Sequence, residues 1–100
     1  MERRKLTRVP MDLRVEDRTT TVRTIRMATD ISLDGMRMAT TRRYPTGKSL
    51  ELDVRLRDQA HPLRVRGEVV GAGDGEVSVR FVGLSTSDRV RIVECMYGDA

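Results

Sequence analysis

One hundred residues, 38% of them apolar, suffice for one modest core and not for two. Nineteen Lys and Arg against fifteen Asp and Glu leave a net charge of +4, and because Lys5 and Lys48 are the only lysines the basic character is almost wholly arginine, whose planar fork suits phosphate oxygens and guanine edges. No apolar run approaches the roughly 20 residues of a membrane span. The basic start MERRKLTRVP lacks the hydrophobic stretch of a signal peptide, and the single cysteine, Cys95, has no disulfide partner in the chain, so a cytoplasmic protein with no membrane association is expected.

The first ten residues are too polar for a core and end at Pro10. They read as a flexible basic arm, residues 1–10, ahead of a barrel domain over residues 11–100. From Met11 onward a period of two dominates, the mark of strands with one buried face. MDLRVE places Met11, Leu13 and Val15 on one side. In TTVRTIRMA, Ile25 and Met27 share the face predicted to be inward, with Val22 out of phase, which points to a bulge. After the turn DISLDG, Met36 and Met38 turn inward. SLELDVRLR alternates most regularly, with Leu50, Leu52, Val54 and Leu56 inward; PLRVRGEVVG follows with Leu63, Val65, Gly67 and Val69, and EVSVRFVG with Val77, Val79 and Phe81.

Turn residues fill every connection between these strands, which predicts hairpin links throughout. Six one-faced strands without crossover helices predict an all-β fold, a six-stranded antiparallel β-barrel, because closure fills the interior and removes free edges. The tail STSDRVRIVECMYG carries Val90, Val93 and Met96 or Tyr97 at helical spacing. Ser85 with Asp88 makes a capping box and Gly98 a stop, so a short C-terminal α-helix is predicted to pack on one mouth of the barrel.

Catalytic chemistry finds little support. The one histidine, His61, precedes Pro62 in a turn, and the scarcity of His and Cys argues against a metal centre. GAGDGE matches no phosphate-binding fingerprint and leads into a strand, so it reads as a hairpin turn. The methionines at 11, 27, 36 and 38 fall on the parity assigned to the core, and Cys95 reads as a small apolar helix residue. The expectation is a binding protein, not an enzyme, with no cofactor and no metal.

Two motifs remain: RKLTR, with Arg4 and Arg8 spaced R-x-x-x-R, and DISLDG, with Asp30, Ser32 and Gly35 spaced D-x-S-x-x-G. Each alone is common. Their order and spacing ahead of six short strands and a helix resemble the PilZ domain family, whose members bind the bacterial second messenger cyclic di-GMP. That resemblance implies that Arg4 and Arg8 wrap over the nucleotide, pairing with phosphate oxygens and guanine edges and stacking on purine faces. It implies equally that Asp30 and Ser32 hydrogen-bond a guanine edge and that Gly35 permits close approach. Arg3, directly before the first motif, implies by the same resemblance an intercalated dimer of the nucleotide as ligand, with a single molecule as the alternative. Ordering of the arm would then present a new surface to a protein partner.

Two alternatives stand beside this reading. One is a small basic barrel that binds nucleic acid, although Tyr44, Phe81 and Tyr97 are the only rings and Phe81 has inward parity. The other is a PilZ-like adaptor that binds protein without nucleotide.

Overall fold

The computed structural model describes residues 7–98 and contains six strands and one helix: β1 (Val9–Asp17), β2 (Thr24–Ile31), β3 (Gly35–Ala39), β4 (Ser49–Val54), β5 (Leu63–Gly73), β6 (Glu76–Val82) and α1 (Thr86–Tyr97). Adjacent strands are antiparallel, and the sheet closes into a barrel in the order β1-β2-β3-β6-β5-β4. The seam is β1 against β4, with Val15 opposite Val54 and Asp17 opposite Leu52. The predicted all-β barrel with its helix is the observed architecture.

Hairpins do not link every pair, as the sequence had led us to expect. β3 pairs with β2 and β6, while β4 pairs with β1 and β5, so residues 40–48 cross one end of the barrel from β3 to β4. Turn residues alone cannot distinguish such a crossing from a hairpin. The β5–β6 link is a tight hairpin: Asp74 and Gly75 both have positive φ, 55° and 77°, the backbone that a two-residue turn needs to match strand twist.

Inward positions follow the predicted alternation on β1, β3, β4, β5 and β6, and Val15, Met36, Met38, Leu52, Leu63 and Val79 are among the residues lining the closed interior. Gly67 faces inward as predicted, where an added Cβ would lie 2.4 Å from Val79 Cγ1. β2 departs from the reading. Leu13 lies opposite Ala28 and Val15 opposite Arg26, and directly opposed residues share a face, so Thr24, Arg26 and Ala28 turn inward. Ile25 and Met27 are therefore about half exposed on the outer wall, and Met27 is not a core methionine. The irregularity in β2 falls between Ala28 and Asp30, not near Val22. It resets the parity, so that Ile31 is buried although Ala28 is three residues earlier.

Arg26 is tolerated on an inward parity because its side chain reaches the barrel end. There its Nε donates to Tyr44 Oη (3.2 Å) and its guanidinium lies 5.9 Å from the Tyr44 ring centre. Tyr44 in turn donates to Asp17 Oδ2 (2.9 Å), which pins the crossing segment to β1. Burial pushes the Asp17 carboxyl upward, but hydrogen bonds from the Thr19 hydroxyl and amide and from Tyr44, with the charge of Arg26, outweigh it and hold its pKa below the ordinary carboxylate value. The Tyr44 hydroxyl is pushed up by burial and by the adjacent carboxylate, with Arg26 opposing.

The capping box is formed as predicted: Ser85 Oγ accepts from Asp88 N (3.0 Å) and Asp88 Oδ2 accepts from Ser85 N (3.1 Å). At the other end Gly98, with φ 71°, donates its N–H to Glu94 O (2.7 Å). The helix presents a different face from the one its spacing suggested. Ile92, Cys95 and Met96 are buried, whereas Val90, Val93 and Tyr97 point away from the barrel.

Candidate ligand-binding site

Pairing of β1 with β2 sets Val9 opposite Ile31 and Pro10 opposite Asp30, which draws the end of the arm alongside the acidic turn. Arg8, just outside β1, donates from Nη1 to Asp30 Oδ1 at 2.7 Å, a contact between residues 22 apart in sequence. Arg3 and Arg4 lie outside the described residues. On the other side of Asp30, β3 places Arg37 as its direct partner, with Nη1 3.8 Å from Asp30 Oδ2 and Nε 3.9 Å from Glu76 Oε1. A carboxylate whose side chain is 14% exposed thus sits between two arginines whose side chains are 39% and 42% exposed.

Arg37 was not singled out from the sequence. Its signal was parity: Met36 and Met38 point inward, so Arg37 must point outward, on the side that carries Asp30.

The other two residues of the turn do different work. Ser32 is fully buried; its hydroxyl donates to the Asp34 carboxylate and accepts from the Asp34 amide (3.3 Å), while its N–H reaches Gly35 O (2.9 Å). That is a hydroxyl closing its own turn. Gly35 opens β3 against β6, where an added Cβ would stand 2.1 Å from Val79 O. Its missing side chain lets two strands approach, a role independent of any ligand.

The arginines of the opposite wall are engaged elsewhere. Arg66 pairs with Glu51 (3.0 Å), Arg64 and Arg18 share Asp53 (3.3 and 2.8 Å), and Arg80 pairs with Glu68. On this wall of β4, β5 and β6, Arg64, Arg66 and Arg80 are thus each paired with a carboxylate. A groove of about 760 Å³ lies at the far end of β3, beneath the crossing segment, and is lined by Arg42, Arg43, Pro45 and Glu76 among others. It shares Glu76 with the surface that gathers Arg8, Asp30 and Arg37, since Glu76 also meets Arg37. No group of three or more metal-ligating side chains occurs among the described residues.

A closed six-stranded barrel with a terminal helix, and an arm cation seated on the carboxylate near the end of β2, defines a small β-barrel domain. The chain belongs to the PilZ domain family, whose sequence model matches residues 2–98. Similar solved structures include the PilZ domain of YcgR from Escherichia coli, described with c-di-GMP (TM-score 0.77, 15% identity, covering 96% of this chain and 90% of that one). The Bacillus subtilis inhibitor of motility MotI/DgrA is also similar (TM-score 0.78, 17% identity, 96% of this chain and 50% of that one). So is the PilZ domain of CeSA from a cellulose-synthesizing bacterium (TM-score 0.66, 14% identity, 92% and 96%). The chain spans half the length of MotI/DgrA, and at these identities the likeness is one of fold. No curated protein matches the sequence. Among the described residues, no helix is long and apolar enough to cross a membrane.

Proposed function

We propose that this chain is a cyclic di-GMP receptor in which Arg4 and Arg8 close over the nucleotide and Asp30 reads a guanine edge. The observation that carries this reading is the Arg8–Asp30 pair, which joins the two motif halves on one surface. Arg8 lies within reach of a ligand resting on Asp30, and its guanidinium can leave the carboxylate for a phosphate oxygen or a guanine O6 and N7. Arg37 stays beside Asp30, whose carboxylate can accept from the guanine N1–H and N2–H that adenine lacks. Ser32 contributes by shaping the turn from which Asp30 projects, and Arg3 adds a further cation suited to an intercalated nucleotide dimer. The residues ahead of β1 form the closing arm, and the closed arm presents its surface to a protein partner; no catalytic step, cofactor or metal is involved. On the β4–β6 wall, Arg64, Arg66 and Arg80 are already engaged by carboxylates, which leaves those three less suited to a phosphate track.

Calorimetric titration with cyclic di-GMP tests the reading. Binding heat is expected, most of it lost in Arg4→Ala and Arg8→Ala. Asp30→Ala is expected to weaken binding by about 1 to 3 kcal/mol, the worth of a base-edge contact. No heat with the wild-type chain would overturn the receptor reading and favour an adaptor that binds protein alone. A stoichiometry of two nucleotides per chain is expected for the intercalated dimer.

A further inference from the structure

Helix α1 carries two apolar stripes, and only one is spent on the barrel. Ile92, Cys95 and Met96 are buried, while Val90, Val93 and Tyr97 are 51%, 38% and 61% exposed. Scattered exposed apolar residues are ordinary. Three of them at i, i+3 and i+7 on one helix form a continuous seam, the a, d and next a positions of a heptad. Arg89 then occupies the g position before the first a, and Glu94 the e position after d. Both are exposed, and neither takes part in an ion pair among the described residues.

When two helices pack in parallel on such a seam, g of one faces e of the following heptad in the other, five residues further on. Arg89 and Glu94 are five residues apart and of opposite sign, so a twofold axis along the seam yields two Arg–Glu contacts. Antiparallel packing would instead bring like flanks together, Arg89 toward the Arg89 side and Glu94 toward the Glu94 side. The buried stripe of Ile92, Cys95 and Met96 lies on the barrel side of the helix, away from this seam.

We propose that the occupant of this face is a second copy of the chain, docked helix to helix in parallel, with Val90, Val93 and Tyr97 as the dry seam and Arg89–Glu94 contacts on both flanks. A helix of 12 residues offers only about 18 Å of seam, so the interface falls at the small end of the range and the association is weak and concentration-dependent.

Sedimentation equilibrium of the full chain without nucleotide, from about 10 µM to about 1 mM, tests the proposal. The weight-average mass is expected to climb from monomer toward dimer and no further. Val93→Asp is expected to hold the protein monomeric throughout. Arg89→Glu and Glu94→Arg are each expected to weaken association about fivefold or more, and the double variant Arg89→Glu/Glu94→Arg to restore it. Circular dichroism of each variant confirms that these exposed substitutions leave the fold intact. A monomer at every concentration overturns the proposal, as does association that ignores the single reversals or is not restored in the double variant.

Discussion

Gly35→Ala separates two explanations for the glycine that ends the D-x-S-x-x-G turn. If the glycine serves a ligand, the free protein should tolerate a methyl group there; if it serves strand approach, the free protein should not. Its Cβ would sit 2.1 Å from Val79 O and 3.1 Å from Val79 C, and these backbone atoms cannot rotate aside as a side chain would. Relief requires β3 and β6 to part by about 1 Å where Gly35 faces Arg80, which weakens the ladder hydrogen bonds there and loosens the packing beneath. One or two weakened bonds at about 1 kcal/mol each plus local strain give a loss of about 2 to 4 kcal/mol. For a chain of this size that lowers Tm by roughly 10 to 25 °C. Urea unfolding followed by circular dichroism measures it, with Gly73→Ala as the control: Gly73 ends β5 in the same sheet, and nothing lies within 4 Å of an added Cβ there. Gly73→Ala should stay within about 0.5 kcal/mol of wild type. A Gly35→Ala variant as stable as that control would refute the strand-approach argument.

Arg37→Ala should weaken cyclic di-GMP binding about two- to fivefold by calorimetry, the scale of a half-exposed ion pair, without changing stability by more than about 0.5 kcal/mol. Ile92→Ala should cost about 2 to 4 kcal/mol in urea unfolding, whereas Val93→Ala, measured on dilute protein, should cost under about 0.5 kcal/mol, because one side chain faces the barrel and the other solvent. Asp17 has a folded pKa below its unfolded value, so its stabilising contribution is present above about pH 3.8 and is lost as pH falls through the folded value. The stability gap between wild type and Asp17→Asn should therefore be full near neutrality and shrink in acid. Tyr44 has the opposite sign: its contribution is present below about pH 10 and is lost as pH rises through its raised folded value, so Tyr44→Phe should narrow the alkaline loss of stability.

Barrel and helix were legible because β4 and β5 put an apolar residue or Gly67 at every inward position, and a period of two is hard to produce otherwise. β2 was misread because its inward residues are Thr24, Arg26 and Ala28. An arginine whose head reaches Tyr44 looks solvent-facing in a pattern, while Ile25 and Met27 look buried. Tyr44 itself was hidden in the polar run TTRRYPTG, since no period marks a loop residue that anchors through one hydroxyl. The helix was assigned its outer face because both faces are apolar, and spacing cannot rank Val90 and Val93 against Ile92 and Cys95. In the turn, the sequence brought out Asp30, Ser32 and Gly35 as one group. Only coordinates distinguish a serine hydroxyl that closes its own turn from one offered outward, or a glycine that spares a neighbouring strand from one that spares a ligand.

The Arg8–Asp30 contact makes the receptor proposal testable at the level of sequence of events. In the free protein the pair joins groups whose side chains are 39% and 14% exposed, so solvent screening limits it to about 1 kcal/mol or less. If nucleotide draws Arg8 away from Asp30, each single alanine loses its own ligand contact but also removes a pairing that competed with binding. That relief is counted in both singles yet arises only once in the double. Arg8→Ala/Asp30→Ala should therefore bind more weakly than the two single losses predict, by up to about fivefold, the equivalent of the pair. A pair that persists in the complex would leave the losses additive. The direction of the departure thus reports whether the arm trades its carboxylate for the ligand or carries it along.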